Sequence, residues 1–282
     1  MTKKKEIGGQ AVIEGVMMKS KSNVAIAVRK PNKKIHVKVK KYNPLTRKNI
    51  LLRIPIIRGF IELIDMMVIG IKALIYSADV AAGEDEKLTR GEVALTFVIA
   101  TLFTIGLFIA LPLFIAKLFT QGTGILFDLI DGLLRLVIFL FYVYIISKMK
   151  DMKTVFQYHG AEHCAVHCYE SGKKLTPENA IKYTTLHPRC GTSFLVIVIA
   201  ISIIVFSFIS DPRWYVKFIS RVVLLPVIAG VGYELLKLSA KHEKNLFVKA
   251  ITKPGLWVQK LTTSRPSKKQ IEVAIAALNK VK

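Results

Sequence analysis

The chain has 282 residues, with 42 Lys plus Arg against 19 Asp plus Glu, a formal net charge of +23, and yet it is 52% hydrophobic. A nucleic-acid-binding protein would account for the charge but not for a mean hydropathy of +0.43, and a disordered basic tail would not carry the aliphatic and aromatic residues. A membrane protein with basic parts in the cytoplasm accounts for both, three cysteines exclude a disulfide scaffold, and the charged start Met1-Thr2-Lys3-Lys4-Lys5-Glu6 does not read as a secretory signal.

Residues 1–53 form a basic cytoplasmic region. Val24, Ile26 and Val28 alternate with small or basic residues, Pro31-Asn32-Lys33-Lys34 supplies a turn, and Ile35, Val37 and Val39 alternate with His36, Lys38 and Lys40. That pattern predicts a hairpin with one apolar and one basic face, to which Gln10–Met18 adds a third strand. The basic face is expected against anionic headgroups or solvent.

Residues 54–82 are long enough to cross a bilayer. However, Arg58, Glu62, Asp65, Lys72 and Asp79 fall within an arc of about 100° on a helix. A spanning helix has no need of a charged stripe, so an interfacial amphipathic helix is predicted.

Residues 93–147 hold two spans. Ala94–Ala116 is free of charge and carries Pro112, which should kink the helix, and Ile125–Ser147 contains Asp128, Asp131 and Arg135. Asp131 and Arg135 are placed to neutralise each other at i, i+4. Residues 193–240 hold two more, read as Cys190–Ser210 and, after Asp211-Pro212-Arg213, Trp214–Leu236 with Lys217, Arg221 and Glu234 near its ends. Glu234 is costly at that depth unless paired, and Lys237 at i+3 is the expected partner, with the histidine loop as the alternative.

Fifteen Lys plus Arg lie in residues 1–53, seven in Lys148–Arg189 and ten in residues 241–282. Four spans place all three regions in the cytoplasm of a bacterial inner-membrane protein, with both termini inside. In the tail, residues 241–282, Ile271, Ala274, Ile275 and Leu278 share one face of a docked helix that follows Pro266. The expected fold is thus an α-helical integral membrane protein with four transmembrane helices, an interfacial helix and a small N-terminal cytoplasmic β-sheet. Its partners are the lipid bilayer and, in one reading, another membrane protein; no nucleic acid is expected.

The chemistry lies in the cytoplasmic segment 148–192, within Tyr158-His159-Gly160-Ala161-Glu162-His163-Cys164-Ala165-Val166-His167-Cys168-Tyr169-Glu170. If helical, His159, His163 and His167 fall within about 80°, with Glu170 among them, so nitrogen and oxygen donors could converge on one ion. Cys164 and Cys168 point elsewhere and read as small apolar side chains. His187-Pro188-Arg189-Cys190 delivers another imidazole and a thiol where the chain re-enters the membrane, and a thiolate beside histidines suits zinc. His159-x-x-Glu162-His163 also fits the H-x-x-E-H pattern of inverted zinc proteases, in which the glutamate is general base. His36 and His242 are read as surface residues.

Gly8-Gly9-Gln10-Ala11-Val12-Ile13-Glu14-Gly15-Val16-Met17-Met18, Tyr158–His163, Pro188-Arg189-Cys190-Gly191-Thr192-Ser193-Phe194, Tyr233-Glu234 and Pro254-Gly255-Leu256-Trp257-Val258-Gln259-Lys260-Leu261-Thr262-Thr263 together resemble the YqhQ family of bacterial membrane proteins over nearly the whole chain. The resemblance implies a multi-pass membrane protein and a metal-dependent enzyme without an assigned reaction, with family motifs on His159, Glu162, His163 and Cys190. The chain departs from that pattern at Cys164, where a lysine is more usual, and at Ser264-Arg265-Pro266-Ser267, where acidic residues are. The expected function is a zinc-dependent hydrolase at the cytoplasmic membrane surface. Its ligands are His159, His163 and Cys190, with His167 or His187 as alternatives, and Glu162 is its base. The other expectation is a non-enzymatic assembly or regulatory protein docked on a membrane complex, with a structural metal site or none.

Overall fold

A computed structural model of the chain describes residues 7–47, 49–82, 89–120, 124–209, 211, 213–242 and 245–282. The basic run before Ile7, and Pro212 in the connector after the third expected span, lie outside the described residues.

The N-terminal strands β1 (Gly8–Val12), β2 (Gly15–Lys19), β3 (Asn23–Arg29) and β4 (Ile35–Lys41) form an antiparallel sheet in the order β1-β2-β3-β4. The predicted single strand Gln10–Met18 is two strands, because Val12 pairs with Gly15 across a tight turn in which Glu14 takes a φ of 49°. The β3–β4 hairpin forms as its alternation predicts. Only part of its basic side is covered, and His36 and Lys40 stay exposed. His36, Lys38 and Lys40 stand opposite Val28, Ile26 and Val24, and that side of the sheet packs on a helix.

That helix is α1 (Ile57–Ala82). Part of its charged stripe is turned into protein, while Lys72 stays exposed: Glu62 accepts from Thr46 Oγ1 at 3.1 Å, and Asp65 accepts from Tyr42 Oη at 3.1 Å and from the Leu45 N–H at 2.9 Å. Ile57, Met67, Val68 and Leu74 are exposed as well.

α2 (Arg90–Ile105), a π-helical turn at Gly106–Ala110 and α3 (Leu111–Phe119) make one apolar rod, Gly91–Phe119, of 29 residues. Pro112 has no N–H for the Phe108 carbonyl, and that carbonyl accepts from Arg135 Nε at 3.0 Å. α4 (Gly124–Lys148) is the second apolar helix of membrane length. A break at Met149 leads into α5 (Lys150–Ser171), followed by the single turn α6 (Pro177–Ala180).

α7 (Gly191–Ser207) is apolar but only 17 residues long. The span expected over Trp214–Leu236 is broken into α8 (Trp214–Val223) and α9 (Leu225–Lys241), which meet at 45°. Pro226, in the first turn of α9, interrupts the ladder there. Among the described residues, two helices are therefore long and apolar enough to cross a membrane, or three if the bent pair is one span. Lys217 and Arg221 of α8 are wholly buried: Arg221 bonds both Asp128 and Asp131, Lys217 lies 3.5 Å from Asp128, and Asp131 also pairs with Arg135. Glu234 pairs with Arg58 of α1 through two hydrogen bonds, of 3.0 and 2.5 Å, rather than with Lys237 or the histidines.

α10 (Leu246–Thr262), which the sequence reading does not separate within the tail, packs on α7. α11 (Lys268–Asn279) starts at a Ser267–Gln270 capping box and buries Ile271, Ala274, Ile275 and Leu278, as predicted. One apolar core joins the sheet residues Val16, Met18, Ala25 and Ala27 to α5 and α11.

Candidate metal centre

The segment expected as a histidine-bearing loop is α5 itself, closed by Gly172 at a φ of 81°. His159, His163 and His167 therefore do share a helical face. Gly160 is there because the C-terminal chain crosses the helix at that point: a Cβ on it would stand 2.2 Å from the Ser264 carbonyl oxygen. This crossing brings the Thr262 carbonyl to His159.

The five histidine and cysteine side chains expected as ligands divide into two groups. In the first, donor atoms of His159, His163 and Cys190 all lie within 4.8 Å of one another. His159 Nδ1–H donates to the Thr262 carbonyl at 2.8 Å and His163 Nδ1–H to the Thr185 carbonyl at 2.5 Å. Each ring then presents the lone pair of Nε2. For His159 it faces Cys190 Sγ at 3.3 Å; for His163 it faces Glu162 Oε2 at 3.3 Å. Cys190 caps the N-terminus of α7, where the Thr192 N–H points at its sulfur from 3.4 Å and so fixes its direction.

His163 is 3% exposed and Glu162 4%. Burial holds the imidazole below its ordinary pKa and so neutral, as a ligand must be. It pushes the Glu162 carboxyl up, so that this group can hold a proton. Gly9 of β1 makes room for Glu162, whose Cγ would lie 2.8 Å from a Cβ there. The N-terminal glycine motif thus meets the histidine motif in space.

In the second group His167, Glu170 and His187 also bring donor atoms within 4.8 Å. Glu170 shares the predicted face but is not among the expected ligands. Here the polar groups already satisfy one another. His167 Nε2–H donates to the Leu186 carbonyl at 2.9 Å, and His187 Nδ1 accepts from the Arg189 N–H at 3.2 Å. His187 Nε2 lies 3.5 Å from Glu170 Oε2, and Arg189 also pairs with that carboxylate. The His163 and His187 rings, 5.5 Å apart, connect the two groups.

Two imidazoles with carbonyl-anchored Nδ1 atoms and a thiol, converging in a buried place, make a donor set that fits a divalent ion of zinc type. The first group meets that description; the second, two imidazoles and a carboxylate without a thiol, could also hold an ion, but its polar atoms are already paired as described. Cys164 and Cys168 turn away: their thiols donate to the Tyr183 carbonyl at 3.4 Å and the Lys174 carbonyl at 3.6 Å, and burial pushes the Cys164 pKa up to about 11.

Residues 54–282 match the family model described as a protein of unknown function, DUF1385. The chain is 36% identical to the uncharacterized protein YqhQ of Bacillus subtilis (strain 168), over 97% of this chain and 91% of that relative. No solved structure matches the chain.

Proposed function

The chain belongs to the YqhQ family, described as DUF1385, and we propose that it is a membrane-bound zinc-dependent hydrolase whose site lies at the cytoplasmic surface of the inner membrane. His159, His163 and Cys190 hold the ion, and Glu162 is the general base. The observation that carries this reading is that donor atoms of His159, His163 and Cys190 all lie within 4.8 Å of one another beside the buried carboxyl of Glu162.

A zinc ion held by these three residues would supply Lewis-acid activation of water. The chain supplies the rest. The Thr262 and Thr185 carbonyls fix which imidazole nitrogens are free, and the sheet strand at Gly9 walls off solvent. Glu162 Oε2 takes a proton from the attacking water and returns it to the leaving group, and its upward-shifted pKa suits both steps. His167, His187, Glu170 and Arg189 form a hydrogen-bonded flank to the site. The four-span topology, with α7 and the bent α8–α9 pair as the third and fourth crossings, keeps the basic regions and both termini in the cytoplasm.

A non-enzymatic membrane protein with a closed structural site is the second reading. It is favoured by the same 3.3 Å approach of Glu162 to the His163 donor atom, which would let the carboxylate act as a fourth ligand. Elemental analysis of detergent-purified protein tests the first and separates it from the second. Wild type should carry near-stoichiometric zinc, lost in His163→Ala and Cys190→Ala. Glu162→Gln should keep the zinc and lose the ability to complement a deletion. Metal-free, folded wild type would sink the metalloenzyme, and zinc loss in Glu162→Gln would favour the structural site.

A further inference from the structure

The motif Pro254–Thr263 lies on α10 and the residue that follows it. This helix supplies none of the proposed ligands, yet its inner face is turned toward the site. Gln259 is wholly buried, 0% exposed. Its Oε1 accepts from the His187 N–H at 2.8 Å, and its Nε2 donates to the His187 carbonyl at 2.8 Å and to Ser193 Oγ at 2.8 Å. One side chain therefore grips both backbone groups of a residue three before Cys190, and also the hydroxyl of a residue three after it. Between those anchors the chain turns into α7 with Cys190 as its cap.

The rest of the motif serves the same alignment. Gly255 lets α10 come close to α7, since a Cβ there would lie 2.7 Å from Ser193 Cα. The Thr262 carbonyl accepts from His159 Nδ1, and the Thr262 hydroxyl lies 3.2 Å from that of Thr192. The α10 helix thus touches the supports of two of the three donors: the backbone around Cys190 and the second nitrogen of His159.

We propose that Gln259 is a positioning residue of the metal centre, through which the docking of α10 on α7 sets where the Cys190 sulfur stands relative to the two imidazoles. This rests on the metal reading above. Gln259 touches no donor atom itself. Its effect is to hold the His187–Ser193 turn from both ends. Replacing it with leucine removes three buried hydrogen bonds at once, and the turn must relax to satisfy the groups that made them. Groups that orient ligands in this way are worth about 10- to 100-fold in metal affinity.

The test is zinc affinity by chelator competition on the full-length protein in detergent, together with the thiolate-to-metal charge-transfer absorption of the cobalt(II)-loaded protein. Gln259→Leu should bind zinc about 10- to 100-fold more weakly and lose charge-transfer intensity. Ser193→Ala, which removes one of the three contacts of Gln259, should show a smaller loss in the same direction and guards against misfolding of the leucine variant. Lys260→Gln, on the exposed side of the same helix, should match wild type in both. The charge-transfer band reports the sulfur itself, which a merely structural role for Gln259 would not move. Wild-type affinity and spectrum in folded Gln259→Leu, or in Ser193→Ala should the former not fold, would overturn the proposal while leaving the metal site standing. Absence of metal binding in wild type would overturn both.

Discussion

At the scale of single residues, the i, i+4, i+8 spacing of His159, His163 and His167 is enough to place three imidazoles on one helical face, and the Cys190 motif is enough to place a thiol at a membrane boundary. What the spacing does not give is how these side chains divide. That depends on which carbonyl each second ring nitrogen finds, and the carbonyls of Thr185, Leu186 and Thr262 are 19 to 103 positions distant in sequence. Gly160 carries one of those arrangements. A methyl group there would stand 2.2 Å from the Ser264 carbonyl oxygen and would push the crossing chain, with the Thr262 carbonyl, away from His159. Gly160→Ala should therefore lower stability by about 1–3 kcal/mol, the usual cost of overpacking, despite the better helix propensity of alanine. It should also weaken zinc binding. Denaturation of the detergent-solubilised protein and chelator competition measure the two effects. An alanine variant as stable as wild type would show that the crossing can yield.

At the scale of elements, the charged arc of α1 is legible in the sequence and its partner is not, because an arc says only that a polar surface is covered or wetted. The fold covers its Glu62 and Asp65 with Lys19, Tyr42, Leu45 and Thr46 from the sheet and the turn after it, and leaves Lys72 exposed. The same helix is tied to α9 by Arg58 and Glu234, partners 176 positions apart, whereas spacing alone assigns Glu234 to its near neighbour Lys237. The two assignments make different predictions. Glu234→Gln should cost about 1.5–3 kcal/mol, the range for hydrogen bonds to charged groups. Lys237→Ala should stay within about 0.5 kcal/mol, as for an ordinary surface change. A double-mutant cycle of Arg58→Met with Glu234→Gln should show a coupling energy of about 0.5–3 kcal/mol. Additive effects would mean that the pair does not hold α1 to α9.

At the scale of the whole molecule, hydropathy locates the apolar segments but does not tell a straight span from the broken pair α8–α9, since the break comes from one proline and the buried charges of α8 find their partners on α4. The count of crossings can be argued without hydropathy. A single apolar core joins the N-terminal sheet, α5 and α11, and such a core cannot straddle a bilayer. The number of crossings between the sheet and α5 must then be even, and so must the number between α5 and α11. The rod α2–α3 and the helix α4, both long and apolar enough to cross, fit the first pair. In the second interval, α7 is about 26 Å long at 1.5 Å per residue, short of a hydrocarbon core of about 30 Å. Parity requires that it cross together with the bent α8–α9 pair or that neither cross. The ion pairs from Asp128 and Asp131 of α4 to Lys217 and Arg221 of α8 hold α8 against a membrane-length helix, which favours both crossing. Single cysteines at Phe119 and Trp214, both exposed, should then react with a membrane-impermeant maleimide added to intact spheroplasts. A cysteine at exposed Lys40 should react only after the membrane is opened. Labelling of the Lys40 and Trp214 positions from the same side would mean that the second pair does not cross, and two crossings would be the count.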